Sequence, residues 1–253
     1  GVIALACLPG AHAQTPKPLR IGLIGPFSGP SSDFGNPMLN GAKLALDEIN
    51  AAGGYLGRPI EFVIKDDTAN PDVGLQHSQE LVQDGVVGTI GFCNTGVAMK
   101  SLDVFQQARS PLIVPCATGT PITAKYPAAE SYIFRTSARD AIQAPFVVND
   151  IVARGWTKVA IFADSTGYGE AGLKDVEAAL AARKLKPVHV ARFDLGVKDL
   201  EFQVTEFGAL IPGLLAAAAV PATNTRVSGC CSISQTSAAF CSSAASSRLA
   251  CSS

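Results

Sequence analysis

Residues 91–100 read GFCNTGVAMK and place a thiol, an amide and a hydroxyl in succession, with glycines on either side. The segment follows an apolar run and precedes a helical pattern. Loops of this kind can hold a phosphate, present a nucleophile, bind a carboxylate or simply turn the chain. The rest of the sequence has to distinguish between these four roles.

The usual catalytic and cofactor-binding motifs are missing from the chain. The phosphate-binding pattern GxxxxGK[ST] and the nucleophile motif GxSxG do not occur, and GPFSGPSSDFG has the wrong glycine spacing for a dinucleotide site. The histidines are too scattered for a catalytic triad, a partner of a cysteine nucleophile or a metal site: His12, His77 and His189. Carboxylates near predicted strand ends are better explained as turn or cap residues: Asp66, Asp67 and Asp164. We therefore expect a protein that is not an enzyme and that has no cofactor and no metal.

A carboxylate clamp remains as the functional interpretation of residues 91–100. Thr95 would begin a helix, and the free amides and dipole at a helix N-terminus favour an anion. Gly96 would let a ligand approach the backbone, and Asn94 and Thr95 would add hydrogen-bond donors. The alternative is that Asn94 or Thr95 only caps the helix, and both interpretations stay open at this stage.

Strands and helices alternate along the chain in a way that predicts parallel sheets. Apolar runs predict strands over 19–24, 60–65, 86–92, 112–116, 132–134, 158–163 and 188–193. Amphipathic segments predict helices over 38–52, 72–84, 95–109, 140–154 and 170–184. This spacing indicates βαβ units with right-handed crossovers.

The Pro- and Thr-rich run 121–139 interrupts this alternation and predicts a passage between two lobes. We expect lobe one over 18–120, the interlobe crossing over 121–139 and a partial lobe two over 140–206. Ligand chemistry then belongs at the carboxyl ends of the strands, where open α/β sheets bind their ligands.

The two ends of the chain differ from its middle. Residues 1–13, GVIALACLPGAHA, form a short apolar run that closes in a small-x-small pattern. This predicts a signal-peptide remnant and a periplasmic location, in preference to a plain apolar N-terminus. Residues 207–253 contain no acid and many serines, which predicts an aberrant low-complexity tail. A reading-frame error, a flexible tail and a disulfide cap compete to explain it.

Composition limits the partners of the protein. The chain is 47% hydrophobic and 16% charged, so it has ample material for a core. Its formal net charge is −1 and it has no basic run, which argues against nucleic acid or acidic lipid as a partner.

Cys93 and Cys116 are predicted at the ends of neighbouring strands, where a disulfide would be sterically possible. We expect two small buried thiols instead, because free cysteine packs as a small apolar side chain. Four of the other cysteines follow residue 228, in the serine-rich tail.

Five segments together resemble one family: IGLIGPFSGP, GAKLALDEINAAGGYLGRPIEFVIKDD, ELVQDGVVGTIG, YIFRTSARD and VAIFADSTGYGE. They are similar to the periplasmic solute-binding proteins of branched-chain amino-acid (Leu/Ile/Val) ABC transporters, in order over roughly 18–200. The resemblance implies a two-lobed type I periplasmic-binding fold, α/β with parallel sheets flanked by helices, with its C-terminal part missing or scrambled.

The same resemblance implies a function. It implies a monomer that captures a small carboxylate-bearing solute, an amino acid or a related acid, between lobes that close like a hinge. The solute would pass to an inner-membrane ABC permease. The alternative is a ligand-binding sensor or receptor-type domain of the same fold, since fold alone does not decide function.

The resemblance finally implies which residues contact the ligand. The segment with Asn94 and Thr95 would give an amide or hydroxyl to the ligand carboxylate, although family members often have serine at the first position. A second segment would offer a carbonyl and a hydroxyl to the ligand ammonium and carboxylate: Cys116, Ala117 and Thr118. Phe34 would line the cleft from the loop after the first strand. Tyr168 would close over the ligand from lobe two.

Overall fold

The computed structural model describes residues 17–194, 197, 230–232 and 238–242. The predicted signal-peptide remnant, 1–13, lies outside the described residues, and so does most of the predicted aberrant tail, 207–253. Within the described part of the chain, no helix is both long and apolar enough to cross a membrane.

The first sheet has five parallel strands in the order β2-β1-β3-β4-β5. The strands are β1 (Leu19–Gly25), β2 (Ile60–Asp66), β3 (Thr89–Ile90), β4 (Leu112–Val114) and β5 (Ile133–Arg135). The helices between them are α1 (Ser32–Ala51), α2 (Pro71–Gln83), α3 (Thr95–Gln107) and α4 (Pro121–Ala124). The parallel order confirms the βαβ pattern that the sequence predicts.

The core of this first unit lies between the sheet and helices α2 and α3. Its fully buried side chains include Ile24, Leu81, Phe92, Leu102, Phe105 and Leu112. The rings of Phe92 and Phe105 meet edge to face, with centroids 6.3 Å apart. This packing fixes α3 on the sheet and therefore fixes where the N-terminus of α3 lies.

Helix α1 begins at Ser32, earlier than the predicted start at residue 38. Phe34 therefore lies in the first turn of α1 and not in a loop. The turn packs closely on the preceding chain, since a Cβ at Gly35 would lie 2.1 Å from the Pro26 carbonyl oxygen. Pro37 lies inside the helix. The glycines and prolines of this stretch predicted a loop, but here they permit close packing at a helix start.

The run predicted as the interlobe crossing, 121–139, belongs mostly to the first sheet. It forms α4 and β5, and β5 pairs with β4 in parallel register, with Ile133 opposite Leu112. Ile133 is buried in the first core. Burial of this side chain explains the difference, and only 136–139 remain as the connection to the next helix.

The second sheet has four strands in the order β7-β6-β9-β8. Strands β6 (Val159–Asp164) and β7 (Pro187–Phe193) are parallel, and helices α5 (Asp140–Ala153) and α6 (Gly167–Ala182) pack on them. Strands β8 (Cys230–Ser232) and β9 (Ala238–Ser242) are antiparallel to their neighbours. The sequence did not predict this pair, because it lies in serine-rich text without strand periodicity.

Candidate ligand-binding site

Two segments of the predicted site meet at the carboxyl edge of the first sheet. Asn94 and Thr95 follow β3, and 116–118 follow the neighbouring strand β4. The hydroxyl of Thr95 accepts a hydrogen bond from the backbone N–H of Gly119 at 3.2 Å, and Thr95 is only 1% exposed. Thr95 therefore ties the N-terminus of α3 to the loop after β4, and this fixes the spacing of the two segments.

Asn94 occupies the N-cap position of α3, but its side chain makes no capping hydrogen bond. Its Nδ2 donates instead to Ser31 Oγ at 3.1 Å. Its Oδ1 is buried and has no hydrogen-bond partner among the described residues. The first backbone N–H groups of α3 therefore receive no hydrogen bond from a capping side chain in the described part of the chain. They lie beside the Asn94 Oδ1, a buried acceptor that is also unpaired there.

The loop after β4 is held by Arg135 at the end of β5. The Arg135 guanidinium donates to the carbonyl oxygens of Thr118 and Gly119, both at 2.9 Å, and to Thr123 Oγ1 at 2.8 Å. The Thr118 carbonyl also accepts from the Asp140 backbone N–H at 3.0 Å. These bonds occupy the Thr118 carbonyl and fix the loop that carries its half-buried side chain.

Asp140 begins α5 and lies against the same loop. It is 7% exposed, and its Oδ2 has no hydrogen-bond partner among the described residues. Burial raises the pKa of Asp140, while a hydrogen bond from the Thr118 side chain and the charge of Arg135 oppose that rise. Thr118 thus has two charged neighbours: the Arg135 guanidinium at its carbonyl and the Asp140 carboxylate at its side chain.

Tyr168 lies half-buried in the first turn of α6. A groove between α5 and α6 encloses about 350 Å³, including space open to solvent, and is lined by Asp140, Gln143, Ala144, Tyr168, Gly169, Gly172 and Val176. The structure therefore brings Tyr168 and Asp140 to one groove. Thr166 caps α6 by accepting from the Tyr168 N–H at 3.2 Å.

The N-terminus of α3, which packs on the first sheet, touches the N-terminus of α6, which packs on the second sheet. A Cβ built on Gly167 would lie 2.9 Å from the Gly96 Cα, so the two backbones are in direct contact. Thr120 Oγ1 donates to Asp175 Oδ2 at 2.7 Å and accepts from the Ala141 N–H at 2.8 Å. A side chain at residue 167 would therefore clash with α3, whereas a Cβ at Gly96 would meet the nearest atom, the Gly167 N, at an ordinary contact distance of 3.5 Å.

Two other predicted residues, Ala117 and Phe34, take part in backbone hydrogen bonds near this edge. Ala117 is buried, its N–H donates to Phe92 O at 3.1 Å, and its carbonyl accepts from Ser137 Oγ at 3.3 Å. Phe34 is half-buried, and its N–H donates to the Ser31 carbonyl at 3.1 Å, next to the hydroxyl that Asn94 contacts. The Phe34 backbone is thus linked to Asn94 through Ser31.

Cys93 and Cys116 are free, half-buried thiols at this edge. A hydrogen bond between them lowers the pKa of Cys116 and, together with burial, raises that of Cys93. The two cysteines are free thiols, as predicted, but they are half-buried and not buried. Among the described residues, no group of three or more His, Cys, Asp or Glu side chains is arranged to hold a metal.

Sequence comparison identifies the family. The model of the family described as periplasmic binding protein matches residues 18–229, which is most of the chain. This chain belongs to the periplasmic binding protein family. The membership confirms the family resemblance and the fold class that the sequence predicts.

Individual members of this family are similar over the same region. Leu/Ile/Val-binding protein homolog 3 of Brucella melitensis biotype 1 is 33% identical over 207 residues, which cover 81% of this chain and 55% of that protein. The branched-chain amino acid transporter substrate-binding protein LivJ of Streptococcus pneumoniae, solved with isoleucine, has a TM-score of 0.66 and 28% identity over 75% of this chain and 53% of its own. A solute-binding protein of an ABC transporter from Rhodopseudomonas palustris BisB5, solved with 3,4-dihydroxybenzoic acid, has a TM-score of 0.67 and 27% identity over 76% of this chain and 52% of its own.

The chain spans about half the length of these periplasmic binding proteins. The family and these relatives are binding proteins and not enzymes. The weakness of every catalytic motif in the sequence agrees with this membership.

Sequence reasoning missed Ser31, Arg135 and Asp140, although all three are part of the hydrogen-bond network of the site. Arg135 and Asp140 stand in YIFRTSARD, which carried the family resemblance without being assigned a role. An arginine and an aspartate that bracket a short polar segment after a strand were the available signal. Ser31 had no signal, because its role depends on contact with Asn94.

The absence of a cap on α3 leads to a stability prediction. Asn70 caps α2 by accepting from the N–H groups of Asp72 at 2.8 Å and Val73 at 3.4 Å, whereas Asn94 makes no such bond. We expect Asn70→Ala to lower the free energy of unfolding by about 1 kcal/mol. Asn94→Ala should be nearly neutral, because it removes one bond to Ser31 together with a buried unpaired oxygen.

Urea unfolding of the two variants and the parent chain, without ligand, measures the difference. Equal destabilisation by Asn70→Ala and Asn94→Ala would mean that Asn94 acts as a cap, and would remove the main reason to regard the N-terminus of α3 as a binding position.

Proposed function

We propose that this chain captures a small carboxylate-bearing solute, an amino acid or a related acid, outside the cytoplasm and delivers it to an inner-membrane ABC permease. The observation that carries the proposal is the N-terminus of α3, where Asn94 leaves the helix uncapped and has a buried oxygen without a partner. Free helix amides beside unused hydrogen-bonding capacity favour an anionic ligand group.

The ligand carboxylate is expected to bind Asn94, the first amides of α3 and the Thr118 hydroxyl. The Thr118 hydroxyl would turn from Asp140 to the ligand carboxylate when the ligand ammonium takes its place at Asp140. The side-chain amide of Asn94 can rotate by half a turn. Its Oδ1 would then accept from Ser31, and its Nδ2 would be free to donate to the ligand. Thr95 supports this arrangement by holding the Gly119 backbone, and so does Arg135 through the carbonyls of the same loop. In this proposal both are positioning residues.

Asp140 is proposed to receive the ammonium group of an amino-acid ligand. Its carboxylate is buried, has one oxygen without a partner and lies in the groove with Tyr168. A cation beside a buried carboxylate would stabilise its charged form. Tyr168 would pack over the ligand from the second sheet.

The carboxylate is the group that the bound ligands of the two solved relatives share. One relative holds isoleucine and the other 3,4-dihydroxybenzoic acid, and only isoleucine has an ammonium group. The position of Asp140 therefore favours an amino acid over an aromatic acid for this chain. The apolar run 1–13 supports export to the periplasm, and we propose that the protein acts there as a monomer.

A comparison of isoleucine with isoleucinamide tests the carboxylate requirement. Ligand-observed NMR detects binding up to the millimolar range, so it suits a chain that spans about half of its relatives. Loss of the carboxylate should weaken binding by at least about tenfold, because a hydrogen bond to a charged group contributes roughly 1.5–3 kcal/mol. Equal binding of the two compounds would contradict the proposed site.

Further measurements separate the alternative functions. A strain that lacks the gene should lose uptake of the identified solute, whereas retained uptake with a lost cellular response would favour a sensor domain. Mass spectrometry should recover the solute unchanged after incubation with the protein, and any turnover product would contradict a purely binding role.

A further inference from the structure

Three sulfur atoms come together at the ends of three adjacent strands in the first sheet. Cys93 follows β3, Cys116 follows β4, and Met38 reaches the end of β1 from helix α1. The Cys93 Sγ lies 3.9 Å from the Met38 Sδ. Cys93 and Cys116 each lie three residues beyond a paired residue of the neighbouring parallel strands, Ile90 and Ile113. All three side chains are half-buried.

We propose that Met38, Cys93 and Cys116 form a binding site for a soft monovalent metal ion such as Cu(I). Thiolate and thioether sulfurs are the ligands that select Cu(I) over harder cations. The site contains no histidine and only two cysteines, so it differs from the sets of three or more His, Cys, Asp or Glu that zinc and the harder ions require. The proposal does not depend on the solute-binding function.

The spacing of the sulfurs fits this chemistry. Two sulfurs bound at about 2.3 Å to one trigonal ion are separated by nearly the 3.9 Å found between Met38 and Cys93. A disulfide would join only Cys93 and Cys116 and would not account for the short contact between Met38 and Cys93. A three-coordinate ion uses all three atoms.

The end of β1 makes room for the methionine. A Cβ at Gly25 would lie 2.5 Å from the Met38 methyl carbon, so a larger residue at this position would displace Met38 from the sulfurs.

Binding of Cu(I) is best measured in the full chain with its remaining cysteines changed to serine: Cys7, Cys230, Cys231, Cys241 and Cys251. This parent is kept under a reductant without oxygen, and Cu(I) is supplied in competition with bicinchoninate. We expect one Cu(I) per chain, and X-ray absorption should give three sulfur ligands at about 2.3 Å. Each thiol should lose its proton when the ion binds.

Two substitutions at the site and one matched control test the residues. Cys116→Ser should abolish tight binding. Met38→Leu should weaken it by about 10- to 100-fold, at least the loss that follows removal of an outer-shell partner of a metal. Met99→Leu changes the only other methionine and should leave the affinity unchanged.

Melting temperatures without metal should stay close to that of the parent for all three variants, which separates lost binding from lost folding. Equal Cu(I) affinity in Cys116→Ser and the parent would overturn the proposal. Unchanged affinity in Met38→Leu, or two sulfur ligands in place of three, would also overturn the three-sulfur site.

Discussion

Thr118→Ala is expected to weaken binding of the carboxylate solute by about 10- to 150-fold, because it removes a hydrogen bond to a charged group, which contributes roughly 1.5–3 kcal/mol. The loop around Thr118 is held by Arg135 and by the Asp140 N–H through backbone carbonyls. Those bonds use backbone carbonyls, so the alanine variant should keep the loop in place, although it also loses the hydrogen bond from the Thr118 side chain to Asp140. NMR titration with the solute identified in the ligand comparison measures the loss.

Two variants serve as controls for Thr118→Ala. Thr118→Ser keeps the hydroxyl and should retain most of the affinity. Thr136→Ala removes an exposed threonine of the same connecting region and should change nothing. Equal affinities in Thr118→Ala and the parent chain would exclude Thr118 from the ligand contacts, and the carboxylate site would then rest on Asn94 and the α3 amides alone.

Gly169→Ala is expected to lower the free energy of unfolding of the second unit by about 3 kcal/mol, the upper part of the usual range for overpacking. A Cβ at Gly169 would lie 2.0 Å from the Asp164 carbonyl oxygen, so the start of α6 would have to move away from β6. Tyr168 is the preceding residue, and its side chain would move with the helix. Solute binding should therefore fall together with stability.

Gly172→Ala is the matched control in the same helix, because a Cβ there meets no atom within 4 Å. It should raise stability by about 0.5–1 kcal/mol, since alanine loses less backbone freedom than glycine on folding. Trp156 is the only tryptophan and packs against the core of the second sheet, so its fluorescence during urea unfolding reports on this unit. Similar effects of the two substitutions would contradict the packing at Gly169.

The order of strands and helices was predictable because its signals are local. Apolar runs and helical periodicity each depend on residues a few positions apart, and they located the strands and helices of residues 19–193 well. The errors fell where local signals and packing disagree. Glycines and prolines before residue 38 indicated a loop, but α1 begins at Ser32. The run 121–139 lacked a long helix, but it adds β5 to the first sheet.

The site was predictable only in its position along the chain. Asn94, Thr95 and 116–118 follow neighbouring strands, so the parallel order brings them to one edge. Arg135 and Asp140 join that edge only because β5 pairs with β4 and α5 begins against the loop. Met38 reaches Cys93 only because α1 packs against the end of β1, a contact between residues far apart in the sequence.

Asn70 and Asn94 illustrate the boundary between local and long-range information. Both are asparagines at helix N-caps with nearly the same backbone angles, φ −101° and ψ 122° for Asn70 and φ −100° and ψ 125° for Asn94. The sequence was enough to place both at helix starts. It could not tell that Asn70 caps its helix while Asn94 turns to Ser31, a residue 63 positions earlier. The partner of such a side chain, a local backbone group or a distant residue, depends on which of them folding brings within reach, and here the result is that α3 has no side-chain cap among the described residues.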